Sequence, residues 1–364
     1  MTAKPLTVLG LETSCDETAA AVVRLAPGGR PRVLSNVVLS QIADHAPFGG
    51  VVPEIAARAH VETIDAVAGR ALAEAKVAVG DLDGVAATAG PGLVGGVMVG
   101  LAFGKAMALA LGRPLIAVNH LEGHAVSARL TADVPYPFLL LLVSGGHCQL
   151  LEVAGVGACR RLGTTIDDAA GEAFDKIGGA LGLPYPAGPA LERLAQGGEA
   201  ARFPLPRALA GRDGCDFSFS GLKTAAARLA AGLTAEADRR DLAAAVQAAI
   251  ARQLAERTAR SMRAYAVAHG GQPWRLVVAG GVAANRAVRA ALQELAAAEG
   301  FSFDAPPLAY CTDNAAMIAL TGAERLALGL VDDLDAAARP RWPLDEAAAR
   351  LRPTHVAGRK GAKA

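Results

Sequence analysis

The order of apolar and polar residues along the first part of the chain predicts strands that are followed by alternating helices and strands. Three apolar runs, at residues 7–14, 18–25 and 33–40, are separated by polar residues and predict a β-meander. Between residues 53 and 79 apolar side chains recur every three to five positions among charged ones, which indicates an amphipathic helix. The next predicted elements are a strand at 83–88, a helix at 95–111, a strand at 114–119 and a helix at 120–130. This alternation is typical of α/β folds.

The same plan starts again after Pro137. A strand at 138–143, a polar loop at 144–147 and a second strand at 148–153 repeat the opening hairpin. Helices are predicted at 167–181 and at 242–268. A strand at 276–279 is followed by the segment 280–286, which opens a helix that ends at residue 298, and a last core helix starts at the cluster 312–314. Because self-similarity on this scale indicates related structural halves, we expect two lobes facing one another, with a ligand cleft between them.

Composition predicts a globular protein and excludes few functions. The 364 residues are enough for about two domains, and 52% hydrophobic against 20% charged residues is far from the composition of disordered chains. A formal net charge of +1 gives no overall attraction for nucleic acid, so a polyanion would have to bind a local patch.

The cysteines and the termini predict a cytoplasmic protein. Five cysteines, an odd number without any C-x-x-C pair, favour a reducing compartment, and the first residues lack the pattern of a secretory signal. The uncharged stretch 85–104 is long enough to span a membrane, but its Ala-Gly-Pro-Gly breaker at 89–92 favours a strand, a turn and a helix. The basic tail at 353–364 is predicted to be disordered.

Two histidines suggest a metal site. His120 and His124 are four positions apart on a predicted helix, so their side chains share one face. Glu122 takes the third position of this segment, whereas a zinc protease needs glutamate in the second, which argues against a protease. Two unrelated polar residues are an equal alternative until a third ligand is found. Asp313 is one candidate, although its place before a helix favours a capping role.

Three loops have polar or glycine-rich patterns that suit ligand binding. The Gly280-Gly281 turn between a strand and a helix could face a nucleotide, although it lacks the third glycine of the dinucleotide motif. Loop 144–147 offers backbone amides for an anion or is an ordinary hairpin turn. Asp16 and Glu17 could position a metal, a water or an attacking amine, or be solvated surface acids. The acidic residues of the helical stretch 167–181 could face the cleft or solvent: Asp167, Asp168, Glu172 and Asp175.

Nine segments together resemble the universal tRNA threonylcarbamoyladenosine transferases, once described as O-sialoglycoprotein endopeptidases. In chain order between residues 8 and 320 they read LGLETSCDETAAAV, GGVVPEIAARAH, AGPGLVGGVMVG, NHLEGHA, LLVSGGHCQL, DDAAGEAFDKIGGALGLPYPAGP, FSFSGLKTA, VAGGVAANR and CTDNAAMIA. The spellings ETSCDET and FSFSGLKTA resemble the bacterial branch of the family.

The resemblance implies an actin-like and sugar-kinase-like (ASKHA) fold, α/β in class, with two related ribonuclease-H-like lobes around a central cleft. The N-terminal lobe is expected to contain residues 1–119 and about 312–345, and the C-terminal lobe residues 120–311. The implied activity transfers the threonylcarbamoyl group from threonylcarbamoyl-AMP to the exocyclic amine of the adenosine 3′ of the anticodon, in tRNAs that read ANN codons.

The resemblance also implies roles for individual residues. It assigns His120, His124 and Asp313 to one divalent metal, for which family usage favours Fe(II) and the ligand types also permit zinc. Substrate contacts are implied at Leu142, Val143, Ser144, Gly145, Gly146, Asp175, Gly188 and Asn285. Our own hypothesis for the base, or for the residue that positions the amine, is Glu17, with Asp16 as second choice.

Partners implied by the resemblance are the tRNA anticodon loop, a paralogous subunit without the metal site, and a small ATPase; no membrane is involved. Two alternatives stay open. An actin-like kinase or ATPase would use the same lobes, but it has no purpose for a two-histidine metal site, since magnesium prefers oxygen ligands. A non-catalytic paralogous subunit would have no reason to carry the two histidines.

Overall fold

The computed structural model describes residues 4–271 and 273–351. Ten strands are described: β1 Leu6–Glu12, β2 Glu17–Leu25, β3 Pro31–Ser40, β4 Gly84–Gly90, β5 Leu115–Asn119, β6 Phe138–Val143, β7 Cys148–Gly155, β8 Ala158–Thr164, β9 Trp274–Ala279 and β10 Phe301–Asp304. The α-helices are α1 Ile42–His45, α2 Pro53–Ala75, α3 Val94–Leu111, α4 His120–Val126, α5 Ala170–Ala180, α6 Ala187–Leu194, α7 Ser220–Ala230, α8 Glu236–His269, α9 Arg286–Ala298, α10 Ala315–Ala327 and α11 Glu346–Leu351. The tail at 353–364, predicted to be disordered, lies outside the described residues.

The chain divides into two compact units. Of the described residues, the first unit takes those up to Pro135, Gly155–Ala158 and Pro306–Leu344, and the second takes Tyr136–Ala154, Cys159–Ala305 and 345–351. The predicted lobe boundary at residue 120 differs from this division, because α4 belongs to the first unit. Gly123 shows the reason: a Cβ at this position would lie 2.8 Å from Ile318 Cδ1 of α10, so the two helices are closely packed.

The first unit is built on a five-stranded sheet in the order β3-β2-β1-β4-β5. β1 pairs antiparallel with β2 and parallel with β4, and β4 pairs parallel with β5. Alternate residues of β1 enter different cores: Leu9 and Leu11 pack in the cluster that includes α2 and α3 residues, and Val8 packs with residues of α10. The sheet is therefore covered by helices on both faces, as the hydrophobic runs of β1 and β4 require.

The second unit repeats this topology. Its sheet order, taken in reverse, is β8-β7-β6-β9-β10; β6 pairs antiparallel with β7 and parallel with β9, and β9 pairs parallel with β10. The five strands therefore follow in the same spatial order as those of the first unit. The internal repeat predicted from the second hairpin is present in the structure.

Most predicted elements are present with small shifts in their ends. The β-meander is β1 to β3, and the helix predicted at 120–130 is α4 followed by a 3-10 turn over Ser127–Leu130. The stretch 85–104 is divided between β4 and α3, as the breaker predicted. By length and composition α3 is the one helix in the described part of the chain that could cross a membrane, but it packs in the same core as β4.

Candidate functional site

The two histidines lie at the start of α4, directly after the end of β5. Asn119 caps this helix through its side chain, whose Oδ1 accepts a hydrogen bond from Leu121 N at 2.9 Å. All seven residues of α4 are buried. The ring centroids of His120 and His124 are 4.7 Å apart, so the histidines share one face as their spacing predicted.

Asp313 is the third member of this group and is not a helix cap. Its Oδ1 lies 3.1 Å from His124 Nε2 and 3.5 Å from His120 Nε2. The cap of α10 is the next residue, Asn314, whose Oδ1 accepts from Met317 N at 3.1 Å. The capping role that sequence reasoning favoured for Asp313 is therefore wrong, and its carboxylate is left to face the two imidazoles.

The donor atoms of these three residues suit a metal ion. One potential ligand atom from each residue lies within 4.8 Å of the others. Metal–nitrogen and metal–oxygen bonds of about 2.0–2.2 Å place neighbouring ligand atoms about 3 Å apart, which matches the separations between Asp313 and the two rings. Two imidazoles and one carboxylate are a ligand set that Fe(II) and zinc sites use.

Glu12 contacts the group from the end of β1, a residue that sequence reasoning did not select. Its carboxylate Oε2 lies 2.8 Å from His120 Nδ1. Burial alone lowers the pKa of His120, but the charges of Glu12 and Asp313 outweigh it and raise this pKa to about 9. Burial raises the pKa of Glu12, but the charge of His120 and the hydrogen bond to it outweigh this effect. The pKa of Glu12 therefore lies below its usual value.

The acidic loop after β1 is not solvated. Asp16 is buried and Glu17 is half-buried, so the alternative of exposed surface acids is wrong for both. Burial raises the pKa of Glu17 well above its usual value, and the carboxylates of Asp313 and Asp16 act in the same direction. A carboxyl group with a raised pKa is better suited to accept a proton near neutral pH.

Two close contacts hold this loop in place. A Cβ on Gly96 of α3 would lie 2.3 Å from Thr13 O, so only glycine permits the observed approach; Thr13 Oγ1 donates to Gly96 O at 2.8 Å. On the other side His60 of α2 lies with Nε2 3.1 Å from Cys15 O. Two of the nine family segments therefore hold the acidic loop in place: AGPGLVGGVMVG, which contains Gly96, and GGVVPEIAARAH, which contains His60.

His60 belongs to a buried polar cluster. Its Nδ1 lies 2.8 Å from Thr18 Oγ1 and 3.2 Å from Gln41 Nε2, and Gln41 Oε1 is 3.3 Å from His45 Nε2. Burial lowers the pKa of His60, outweighing the charges of Glu12 and Asp16 that act to raise it. The imidazole is therefore held neutral, with one nitrogen donating to the loop.

This cluster predicts a pH dependence of stability. Because the folded-state pKa of His60 lies below its unfolded value near 6.5, the unfolded chain binds more protons in the intervening range. The stabilising contribution of the neutral His60 is complete above the unfolded value, and it is lost as the pH falls from there through the lower pKa of the folded state. Urea unfolding at about pH 7.5 and about pH 5 should show a smaller acid-induced loss for His60→Gln than for the wild type. Equal losses in both proteins would contradict this origin.

Glu122 lies apart from the metal group, as its position between the histidines predicted. Its Oε1 accepts from Gly157 N at 2.8 Å, and Arg325 Nη1 is 3.4 Å from Oε2. It therefore forms a structural ion pair within the first unit.

In the second unit, the predicted substrate loop follows β6. Leu142 and Val143 are buried at the end of this strand, and loop 144–147 is a hairpin turn closed by Ser144 N donating to His147 O at 2.8 Å. Gly145 and Gly146 are exposed, and among the described residues no hydrogen bond engages their amides. The hairpin-turn interpretation is confirmed, and these two amides remain available to a ligand.

The Gly280 turn packs against this loop. Gly280 has φ +93°, and a Cβ there would lie 2.3 Å from Val143 O. The chain then passes through a 3-10 turn to Asn285, which caps α9 by accepting from Val288 N at 3.0 Å and donates to Gln247 Oε1 at 2.9 Å. The carboxyl ends of the neighbouring parallel strands β6 and β9 therefore lie side by side. Ligands usually bind at this edge of such sheets.

Asp175 and Gly188 lie beside each other. Asp175 Oδ1 accepts from Ala187 N at 2.8 Å and from Gly188 N at 3.2 Å, at the beginning of α6. Asp175 is on α5, whose Gly171 donates from N to Ser144 O at 3.2 Å. The substrate residues implied by the family resemblance therefore occupy neighbouring segments of the second unit.

The other acids of this stretch contact protein groups. Asp167 accepts from Phe219 N at 2.7 Å and from Ser218 Oγ at 2.5 Å. Asp168 forms an ion pair with Lys223, and Glu172 forms one with Lys176. Asp167 and Asp168 therefore anchor the FSFSGLKTA segment, whereas Glu172 forms a partly exposed pair within α5.

Comparisons with known proteins give a consistent result. A sequence profile of the tRNA N6-adenosine threonylcarbamoyltransferases matches residues 32–320. The protein of that name from Caulobacter vibrioides is 74% identical over 359 residues, 99% of this chain and 98% of the relative. The one from Maricaulis maris is 61% identical over 366 residues, 100% of this chain and 97% of the relative. Among solved structures, HypF of T. kodakarensis aligns with a TM-score of 0.54 at 15% identity, over 89% of this chain and 49% of HypF, and shows a shared fold alone.

Proposed function

From the premise that the chain belongs to the tRNA N6-adenosine threonylcarbamoyltransferase family and is a transferase that modifies tRNA, we propose its donor and acceptor. The donor is threonylcarbamoyl-AMP, and the acceptor is the exocyclic amine of the adenosine 3′ of the anticodon in tRNAs that read ANN codons. The family resemblance and the actin-like, sugar-kinase-like α/β fold predicted from the sequence are confirmed.

The observation that carries this proposal is the convergence of His120, His124 and Asp313. Three residues separated by up to 193 positions, from 120 to 313, present donor atoms within 4.8 Å. These residues would hold one divalent metal. When bound, it supplies a Lewis acid and a template for the oxygens of the donor. We favour Fe(II) over zinc on family usage, since the ligand types suit both.

The second unit would bind the donor's nucleotide. The Gly280 turn and Asn285 lie at the end of β9, next to the exposed amides of Gly145 and Gly146. Peptide N–H groups at such positions stabilise phosphate and the negative charge that develops on an attacked carbonyl oxygen. Asp175, which lies on α5 and accepts hydrogen bonds from the start of α6, would contact the sugar hydroxyls of the adenosine.

The transfer forms a C–N bond and breaks a C–O bond. The adenosine amine attacks the carbamoyl carbon, AMP leaves with the bonding electrons, and the amine loses a proton. We assign this proton to Glu17, whose raised pKa has the direction that a base near neutral pH needs. Asp16, buried in the same loop, is the second choice.

Replacing Glu17 with glutamine should lower kcat by about 10²–10⁴-fold, the usual contribution of a positioned base. The isosteric amide cannot accept the proton, but it leaves the second unit unchanged, so the affinity for the donor should not change. Single-turnover transfer and donor binding by calorimetry measure the two effects. Glu54→Gln, at an exposed carboxylate of α2, is the control. Unchanged turnover in Glu17→Gln would reject this role.

Transfer to tRNA would need additional proteins. With 4% aromatic residues and a net charge of +1, the chain has little surface for base stacking or for phosphate attraction. We therefore propose that tRNA affinity is shared with a paralogous subunit that lacks the metal site and with a small ATPase. All five cysteines are free, which suits the proposed cytoplasmic location.

The proposal is tested by reconstitution. Purified protein, the adenylate donor, tRNA and the two partner proteins are combined, and the tRNA nucleosides are scored by mass spectrometry. Threonylcarbamoyladenosine should form only when this chain is present. Nucleotide hydrolysis or phosphoryl transfer without modified adenosine would favour the kinase or ATPase alternative, and absence of bound metal would favour the non-catalytic subunit.

A further inference from the structure

Glu12 forms a buried link between β1 and the first histidine. It is 1% exposed, and its Oε2 lies 2.8 Å from His120 Nδ1, the ring nitrogen that does not face Asp313. The opposite nitrogen, Nε2, is the one 3.5 Å from Asp313. The histidine is therefore held between two carboxylates, of which only Asp313 belongs to the proposed ligand set.

The carboxylate of Glu12 is itself fixed by two further donors. Ser14 N donates to Oε1 at 2.6 Å, and Thr88 Oγ1 of β4 donates to Oε2 at 2.7 Å. Thr88 is fully buried. Because both oxygens accept hydrogen bonds from fixed donors, Glu12 can only act as an acceptor toward His120 Nδ1.

We propose that Glu12 is the positioning residue of the metal centre: it accepts the Nδ1–H of His120 and so leaves Nε2 as the lone-pair donor that faces Asp313. This inference rests on the metal site of the proposed function. A carboxylate behind a ligating histidine fixes both the tautomer and the ring orientation and raises the basicity of the ligand. Glu12 touches no substrate in this scheme.

The two histidines differ in this respect. The Nδ1 of His124 is buried and has no hydrogen-bond partner among the described residues. No carboxylate therefore holds the Nδ1 side of His124, whereas the Nδ1 of His120 lies 2.8 Å from Glu12 Oε2 and 3.2 Å from Ser14 Oγ. Loss of Glu12 should affect one ligand specifically.

The most specific test of this role is the variant Glu12→Gln, which keeps the size of the side chain and changes only its hydrogen-bonding pattern and charge. If the amide nitrogen replaces Oε2, it donates to His120 Nδ1 and moves the ring proton to Nε2, where it blocks coordination. If the amide nitrogen replaces Oε1, it opposes the Ser14 N–H donor. Neither orientation reproduces the acceptor pattern of the carboxylate.

Affinity for Zn(II), measured by competition with a chromophoric chelator, should fall about 10–100-fold in Glu12→Gln. The visible spectrum of the Co(II) form should also change, since one nitrogen ligand is misplaced. Glu122→Gln is the matched control, because Glu122 is a similarly buried carboxylate on the histidine helix that bonds Gly157 and Arg325. It should bind both metals as the wild type does.

Thr88→Val is a second variant that keeps the carboxylate and removes one donor to it. It should weaken Zn(II) binding by less than Glu12→Gln does, and it keeps the inference testable if Glu12→Gln does not fold. Wild-type affinity in folded Glu12→Gln, with weakened binding in His120→Ala, would overturn the role of Glu12 alone. Equal Zn(II) binding by wild type and His120→Ala would overturn the metal centre and this inference together.

Discussion

Replacing His120 with alanine is expected to abolish tRNA modification in the reconstituted system. The substitution removes one of the three proposed metal ligands, and the remaining His124 and Asp313 offer only two donor atoms. A metal Lewis acid contributes several kcal/mol of transition-state stabilisation, so the transfer rate should fall by at least about 10²–10³-fold. Modified adenosine measured by mass spectrometry, with bound metal measured on the same samples, reports the loss.

His269→Ala is the control for this variant. His269 lies at the end of α8 in the second unit, 3.1 Å from Glu152 and stacked on Tyr265. Its replacement should leave metal content and product formation unchanged. A His120→Ala protein that retains both metal and full activity would contradict the assignment of the site.

Replacing Gly280 with alanine is expected to weaken nucleotide binding at least about tenfold while leaving the metal centre intact. The glycine has φ +93°, and an added Cβ would lie 2.3 Å from the carbonyl oxygen of Val143. The backbone strain alone costs about 1–3 kcal/mol, and the overlap must displace the Gly280 turn from the end of β6. AMP affinity measured by calorimetry should fall by at least about tenfold, which corresponds to about 1.4 kcal/mol.

The control variant Gly270→Ala introduces backbone strain without steric overlap, so it separates the two effects of an added Cβ. Gly270 also has a positive φ, +65°, but nothing lies within 4 Å of an added Cβ. This variant should lose stability through strain and still bind AMP. Zn(II) affinity should match that of the wild type in both variants, because the metal residues belong to the first unit. AMP binding by Gly280→Ala as tight as that of Gly270→Ala would contradict the proposed nucleotide loop.

The strands that form the centres of the sheets are predictable from sequence because they are buried on both faces. β1, β4 and β6 are continuous apolar runs, and their order along the chain already indicates the repeat. β8 and β10 were not predicted. β8 is an edge strand with exposed and half-buried residues and carries Arg160 and Arg161, and β10 has only four residues, so neither gives a hydrophobic signal.

The metal site shows where sequence reasoning from the residues alone stops. Helical spacing predicts that His120 and His124 share a face, but it cannot choose between Asp313 and Asn314 as the cap of α10. That choice depends on the backbone at Asn314, which is extended with φ −155° and ψ 153° and lets its side chain reach Met317 N. The resemblance of the motifs identified Asp313 as the third ligand. The structure gives the physical reason: Asn314 caps α10, so the carboxylate of Asp313 faces the two histidines.

The supporting residues carry weaker signals. Glu12 is the last residue of an apolar strand, where an acid is usually solvated, and its burial follows from pairing with a histidine 108 positions away. His60 occupies an ordinary helix position, and only the packing of α2 against the acidic loop brings it to Cys15. Such residues are found by tracing where each buried polar atom has its hydrogen bond.

The most direct measurement of the central claim is a crystal structure of the metal-loaded protein with anomalous diffraction data collected at the metal's absorption edge. One peak is predicted, with bonds of about 2.0–2.2 Å to the Nε2 atoms of His120 and His124 and to the carboxylate of Asp313. A peak bound elsewhere on the chain, with these three side chains left unligated, would contradict the account.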